Sequence, residues 1–500
     1  MNRDDASGPG SGPSVKIPSL GDAITPVIVL ILLLSFSVYL FGDDSSYGAN
    51  QVALIIASVV ASFIAVKNGH RWQDLHSAIS SGISVAIGAM LILLSVGALI
   101  GSWMLAGTVP AMVYYGLEVM HPSIFYAATC LICALVAVAV GSSWTVAGTI
   151  GIGLMGVGIG LGLRPEIAAG AIISGSYFGD KMSPLSDTTN LAPAVAGAEL
   201  FTHIRHMAWT TGPSFLIALF LFITIGIFAS PQGDDMQLGG LSEVLQREFR
   251  LGAINLLPVA LIVWMAIKRI HALPTILAGA AAGAVLAAFL QPEQAVTLAS
   301  SPDLPHWLAV IKGVWISLFD GYASNTGDAT IDDLLTRGGM ISFLNTIFLI
   351  LTALSFGAVM EHTGLLERMI SGLVRAARGT GSLISAVVGT TILSNIVTAD
   401  QYMSIVVPGR MFREEFRRRR LKARNLSRTI EDAGTLTSPL IPWNTCGAYM
   451  AATLGVATVA YLPFCFLNLV NPLVAILYGV RDIKIERYGD KEPIPAIDHA

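Results

Sequence analysis

Residues 177–190 read YFGDKMSPLSDTTN: two carboxylates, a lysine, a proline and four serine or threonine hydroxyls, flanked by apolar runs. Charge at membrane depth is expensive and is kept for a substrate or ion path. Pro184 removes a backbone donor and disrupts the turn before it, and Gly175 and Gly179 loosen the helix that leads in. The stretch therefore predicts a helix that breaks inside a membrane, freeing backbone carbonyls that suit a cation. That reading requires membrane-spanning neighbours.

Composition supplies them. The 500 residues are 54% hydrophobic and only 12% charged, with a mean hydropathy of +0.69, whereas soluble domains carry roughly 25% charged residues. Charge-free stretches long enough to span, about 20 residues each, cover 24–41, 51–66, 77–101, 207–230, 251–267, 272–290 and 340–360. Two more, 123–163 and 433–480, are far longer. The expected fold class is an all-α polytopic membrane protein with about ten transmembrane helices, two re-entrant hairpins and two broken helices. Cys130, Cys133, Cys446 and Cys465 all sit in apolar surroundings and make no disulfide framework. The CxxC spacing of Cys130 and Cys133 has no His or carboxylate beside it, so it reads as a buried structural pair. Residues 24–41 follow an acidic start without a small-residue cleavage site and read as a retained span. The chain has no Walker A sequence, dinucleotide-binding glycine pattern, HExxH or nucleophile elbow. An enzyme, an ATP-driven pump and a cofactor are therefore not expected, nor is a nucleic-acid partner.

Basic residues set the topology. The run GRMFREEFRRRRLKARNLSR (409–428), with nine Lys and Arg, belongs in the cytoplasm and attracts anionic lipid as a secondary role. Lys67 and Arg71, Arg205 with His203 and His206, Lys268 and Arg269, and Arg481, Lys484 and Arg487 join it. Asp43, Asp44 and the acidic linker 231–243 face outward, and both termini are cytoplasmic. This scheme makes 123–163 a re-entrant hairpin with its tip at GSSWT (141–145); two ordinary spans joined by a short turn are the alternative. An internal repeat fits the scheme. At an offset of 255, Ser183-Pro184-Leu185 falls on Ser438-Pro439-Leu440, Gly179 on Gly434, and Thr145 on Asp400. With three net crossings per unit and two spans between units, the copies are inverted, as in secondary transporters. The expected partition is a disordered tail (1–20), N-terminal transmembrane helices (21–76), a first transport repeat (77–230) and an extracytoplasmic linker (231–250). Connecting helices and a loop (251–339), a second, inverted repeat (340–480) and a cytoplasmic tail (481–500) follow. Segment 307–320 reads equally as interfacial or re-entrant.

Four polar centres result. The first break offers Asp180, Lys181, Ser183, Asp187, Thr188, Thr189 and Asn190. Asp187 has no obvious local partner and is the first choice for a titrating acid, ahead of Asp180; Asp180 with Lys181 reads alternatively as a neutral structural pair. The second break, EDAGTLTSPLIPWNTC (431–446), offers Glu431, Asp432, Asn444 and Thr445, with Pro439 and Pro442 breaking the helix. Glu431 and Asp432 follow the basic run, so a solvated interfacial role stands beside a site role; Asp432 and Lys181 are the charge partners considered. Asp400 occupies the tip of the second hairpin, after an uncharged run from 379 to 399. Ser142, Ser143, Trp144 and Thr145 form the first tip. Oxygen-rich Asp187, Asp180, Asn190 and Asn444 are the Na+ candidates. No arginine sits inside these motifs, which favours an inorganic ion over a carboxylate substrate.

At GSSWT, GDKMSPLSDTTN, TADQYMSIVVPG and EDAGTLTSPLIPWNTC the sequence resembles the NhaC family of Na+/H+ antiporters, within the ion-transporter superfamily, over about residues 80–480. The resemblance implies bacterial inner-membrane exchange of external protons for internal Na+. On matching positions it implies an ion site at Asp180, Asp187, Thr188, Asn190, Asp400, Asn444 and Thr445. Some relatives exchange malate and protons against Na+ and lactate, so the family leaves Na+-coupled exchange of a small organic anion or amino acid as the alternative. A membrane scaffold or passive channel is a remote third reading, because a channel predicts a symmetric polar pore. The partners implied are Na+, protons and membrane lipid, and a homodimer is compatible with such a bundle. One departure is Thr145 after the tip tryptophan, where a small residue is expected.

Overall fold

A long apolar run in a bilayer has no water to satisfy its backbone, so it closes its hydrogen bonds internally as a helix. The computed structural model bears this out for residues 15–42, 45, 47–228, 235–326, 332, 335–489 and 492, the residues described. The expectations of disorder before residue 15 and of outward-facing Asp43 and Asp44 lie outside the described residues. Helices α1 (Leu20–Phe41), α2 (Ala49–Lys67) and α3 (Trp72–Val85) lead in. Next come α4 (Ile87–Leu105), α5 (Thr108–Val119), α6 (Pro122–Val140), α7 (Ser143–Gly160), α8 (Pro165–Met182), α9 (Asp187–Ala196) and α10 (Leu200–Phe228). The middle of the chain holds α11 (Asp235–Glu248), α12 (Leu257–Ile267), α13 (Ala272–Leu290), α14 (Pro292–Ala299) and α15 (His306–Phe319). The last part holds α16 (Leu344–His362), α17 (Leu365–Ala376), α18 (Thr380–Thr398), α19 (Gln401–Arg418), α20 (Ala423–Thr437), α21 (Thr445–Leu454) and α22 (Phe466–Val480).

Among the described residues, nine helices are long and apolar enough to cross a membrane, or up to eleven if each of two sharply bent pairs counts as one span. The expected ten falls in that range. The bends, 91° between Leu241–Glu248 and Ala253–Ile267 and 90° between Thr445–Leu454 and Thr458–Phe464, lie elsewhere than the expected hairpin tips. Among the described residues β structure is limited to two isolated antiparallel bridges, Tyr322 with Arg337 and Leu421 with Arg487. Three details depart from the sequence reading. The span expected at 77–101 is divided at Ala86 into α3 and α4. The linker 231–250 contains helix α11. Segment 307–320 is α15, which packs against α4 and α14.

Gly175 and Gly179 also act differently from the expectation. Helix α8 runs unbroken through both. Their bare Cα atoms let it press onto α6: an added Cβ would lie 2.1 Å from the Cys130 carbonyl oxygen at Gly175 and 2.4 Å from Ala137 Cβ at Gly179. This GxxxG spacing is the usual device for close helix contact in membranes. Cys130 and Cys133 are buried, free thiols on the α6 face that receives it.

Element boundaries recur along the chain. Helix α16 begins and ends 257 residues after α4, as does the pair α17 and α5. From there the spacing is 258: Thr380 against Pro122, Asp400 against Ser142, Lys422 against Arg164, and Asn444 against Ser186. Both α9 and α21 stop at a left-handed glycine, Gly197 and Gly455, at the same 258 spacing. The Ser-Pro-Leu match at 255 is local. In the second unit the helix before the break is three residues shorter and the break three residues longer. The partner of Asp400 is consequently Ser142 rather than Thr145.

The chain beyond α22 folds back over the start of α20. Lys422 N–H donates to the Glu486 carbonyl at 3.0 Å, and the Asn425 side chain brackets the Glu486 backbone at 2.6 and 3.0 Å. Arg424 pairs with the Glu486 carboxylate at 3.1 Å, and Arg428 Nη1 donates to the Lys484 carbonyl at 3.2 Å. Lys484 in turn places its ammonium 4.0 Å from the centre of the Trp209 ring.

Candidate functional site

Two breaks and two tips meet inside the bundle. The first hairpin turns at Gly141, in the left-handed region at φ 74°. A Cβ there would come within 2.6 Å of Leu185 Cβ, in the break after α8, so glycine is what lets tip and break touch. The next residue, Ser142, caps α7 through a bond from Thr145 N–H at 3.2 Å. Ser143 then donates twice to Asp180 Oδ2, from its hydroxyl at 2.6 Å and its amide at 3.2 Å. Asp180 is buried and has hydrogen-bond donors suited to a carboxylate. Thr145 turns inward onto the Ser142 hydroxyl at 3.0 Å. Trp144 stacks on Tyr449, with ring centres 4.0 Å apart, and its carbonyl accepts the Tyr449 hydroxyl at 2.7 Å. The first tip therefore touches the first break and the helix that follows the second.

Around the first break the polar groups stitch the chain to itself. Ser183 ends α8 and its hydroxyl accepts from Leu185 N–H at 3.2 Å. Ser186 caps α9, and its hydroxyl lies 3.2 Å from that of buried Thr188. Thr189 donates to the Lys181 carbonyl at 2.9 Å, and Asn190 donates to the carbonyls of Pro184 and Ser186 at 2.9 and 2.7 Å. Asp187 heads α9 and is exposed, as is Asn190. An acid in the first turn of a helix is favoured by the helix dipole. Tyr402, beside the second tip, is 41% exposed.

Lys181 does not pair with Asp180. It forms an ion pair with Asp432, 251 residues away on α20, and both side chains are fully buried. Asp432 Oδ1 also accepts from Thr210 at 3.0 Å and Asn471 at 2.9 Å. Arg428 Nε lies 4.0 Å from Asp432 Oδ2, and Arg428 is likewise fully buried. The structure thus decides against two alternatives that the sequence left open, an Asp180–Lys181 pair and a solvated position for Glu431 and Asp432, and it brings Arg428, from just outside the quoted motifs, to Asp432. Helix periodicity explains the last two. Arg428 and Asp432 are four residues apart, on one face of a helix whose entry is covered by the returning C-terminal segment.

The second hairpin turns at Ala399 (φ 56°), and Asp400 caps α19 by accepting Met403 N–H at 2.9 Å. Thr445 N–H donates to the Ala399 carbonyl at 2.9 Å. Asn444 caps α21 by accepting Cys446 N–H at 3.0 Å, while its amide donates to Asn395 Oδ1 at 3.1 Å. Asn395 bridges onward to the Gly434 carbonyl at 2.8 Å and the Thr437 hydroxyl at 3.0 Å. Gln401 Oε1 accepts from Ser438 at 3.1 Å. Asn395, Gln401, Asn471 and Tyr449 escaped the sequence reading, although the lone Asn395 in the uncharged run 379–399, and Asn468 and Asn471 in the run 433–480, were usable signals.

Helices broken inside an apolar bundle, with buried carboxylates and an ion pair at the breaks, make this a multi-pass membrane transporter. Residues 175–483 match the Na+/H+ antiporter family. The Na+/H+ antiporter NhaC of Alkalihalophilus pseudofirmus is 40% identical over 435 residues, 87% of this chain and 90% of that protein. A malate-2H+/Na+-lactate antiporter of Bacillus subtilis is 36% identical, covering 93% and 95% of the two chains. An arginine/ornithine antiporter, ArcD of Halobacterium salinarum, is 35% identical, covering 93% and 92%. The chain belongs to the Na+/H+ antiporter family.

Proposed function

We propose that the protein is a secondary antiporter that exchanges cytoplasmic Na+ for external protons by alternating access in a bacterial inner membrane. The observation that carries this is Asp180, a buried carboxylate beside a helix break and held by the tip of a hairpin. Such a group binds a hard cation in oxygen-rich surroundings, and a proton bound in the same buried cluster offsets the charge that the cation would neutralise. Asp187 and Asn190, exposed on the outer side of the break, meet the ion at the mouth, while Asn444 and Thr445 fix the opposite wall. The recurrence of boundaries at 257–258 residues supports two units of inverted orientation, and the basic run 409–428 supports cytoplasmic termini and contact with anionic lipid.

Exchange of a small organic anion or amino acid is the second reading, favoured by Arg428, since a buried guanidinium suits a carboxylate. Arg428 Nη1 donates to the Lys484 carbonyl and its charge faces Asp432 at 4.0 Å, while Nε and Nη2 have no hydrogen-bond partner among the described residues. Because the group is fully buried beneath the returning segment and away from the tips, the inorganic-ion reading leads. Everted vesicles with an imposed pH gradient test the choice. Na+ should collapse the gradient, and Asp180→Asn should abolish the response. If Na+ acts only once malate or lactate is supplied, the organic-anion reading replaces it.

A further inference from the structure

Glu431 is a fully buried acid that the site described so far does not use. Its Oε1 accepts from Thr435 Oγ1 at 2.9 Å, but Oε2 is buried without a hydrogen-bond partner. Asp180 has both donors of Ser143, Asp400 has Met403 N–H, and Asp432 Oδ1 has Lys181, Thr210 and Asn471. Asp432 Oδ2 also lacks a hydrogen-bond partner, but it faces the Arg428 guanidinium at 4.0 Å, whereas no cation among the described residues contacts the bare oxygen of Glu431. Donors favour an ionised carboxylate, whereas a buried charged oxygen left bare is costly. Glu431 is therefore the acid built to hold a proton in this conformation.

Charge balance leads to the same residue. Helices α8 and α20 bring together Asp180, Lys181, Arg428, Glu431 and Asp432, and the charges of Lys181 and Asp180 reach Glu431. Two bases face three acids, so the fully ionised cluster carries one negative charge. One proton or one Na+ neutralises it. The other charged or titratable groups facing α20 are Asp187 at the head of α9, His203 and His206 on α10, Asp400 capping α19, and Lys484 and Glu486 in the returning segment. Helix α18 adds none, and α22 adds only Tyr478.

We propose that Glu431 carries the exchanged proton. Na+ arrives, the Glu431 O–H bond breaks and the proton leaves to water; when Na+ departs, a proton from the other side restores the bond. This inference rests on the antiport reading above. Its test uses the purified protein in liposomes, comparing wild type with Glu431→Gln and Glu431→Asp. Glu431→Gln should still exchange internal for external radioactive Na+, should lose Na+-driven proton movement about a hundred-fold, and should show Na+ uptake independent of pH. Glu431→Asp should keep coupled exchange with a displaced pH profile. If wild type moves no protons against Na+, the antiport reading itself fails. If wild type is coupled and Glu431→Gln stays coupled, or if Glu431→Asp keeps the wild-type pH profile, Glu431 is not the carrier. Loss of both Na+ exchange and coupling in both variants would equally overturn the proposal, as a structural role.

Discussion

Asp432 is shared by two cations, and the sharing makes an asymmetric prediction. Lys181→Met leaves Asp432 facing Arg428 at 4.0 Å, with Thr210 and Asn471 still donating. At an effective dielectric near 20, charges at that separation attract by about 4 kcal/mol, so the remaining pair stays balanced. The loss is then one charge-assisted hydrogen bond, about 1.5–3 kcal/mol. Asp432→Asn instead removes the one acid that both buried cations contact, which costs about 3–5 kcal/mol. Asp432→Asn should therefore be less stable than Lys181→Met by about 2 kcal/mol. Thermal unfolding of the detergent-purified proteins, followed by size exclusion, measures the order. A double-mutant cycle isolates the sharing: on an Arg428→Met background, Asp432→Asn should lose about half its cost. Equal destabilisation by Lys181→Met and Asp432→Asn, or an unchanged cost of Asp432→Asn in the Arg428→Met background, would refute the shared-acid arrangement.

The hairpin tips offer shorter tests. Ser143→Ala keeps the amide donor to Asp180 but removes the hydroxyl, so half-saturating Na+ in vesicle exchange should rise about ten-fold with folding intact. Gly141→Ala combines a left-handed backbone with a 2.6 Å approach to Leu185 Cβ; it should lower the melting temperature by an amount equivalent to about 2–4 kcal/mol and silence exchange. Ala399→Gly does the reverse, relieving φ 56° for a net gain of about 0.5–1 kcal/mol in the same unfolding assay.

The helical architecture was legible because a bilayer leaves the backbone few options: charge-free runs had to be helices, and Ser-Pro-Leu had to interrupt them. Polar residues inside those runs marked both breaks. The pairings were another matter. Nothing local to Lys181 points to Asp432, since the contact joins helices from two different units. The motif match at 255 hid the true register because the second break is three residues longer, so only helix boundaries reveal 258. Charge density in 409–428 drew Arg428 into the cytoplasmic run, when its spacing to Asp432 was the better guide. Asp187 drew attention for lacking a local partner, but its place at the head of α9 explains an unpaired acid in ordinary electrostatic terms.

The returning segment over α20 bears on how the protein is handled at the bench. Ending the chain after Val480 would strip the Lys484 carbonyl from Arg428 and the Glu486 backbone from Asn425, uncovering a guanidinium that the fold keeps dry. A purification tag or fluorescent reporter fused there would occupy the space this strand of backbone fills. Fusions joined beyond residue 492 leave those contacts in place, so activity lost on shortening the C-terminus would report a damaged core rather than a missing tail.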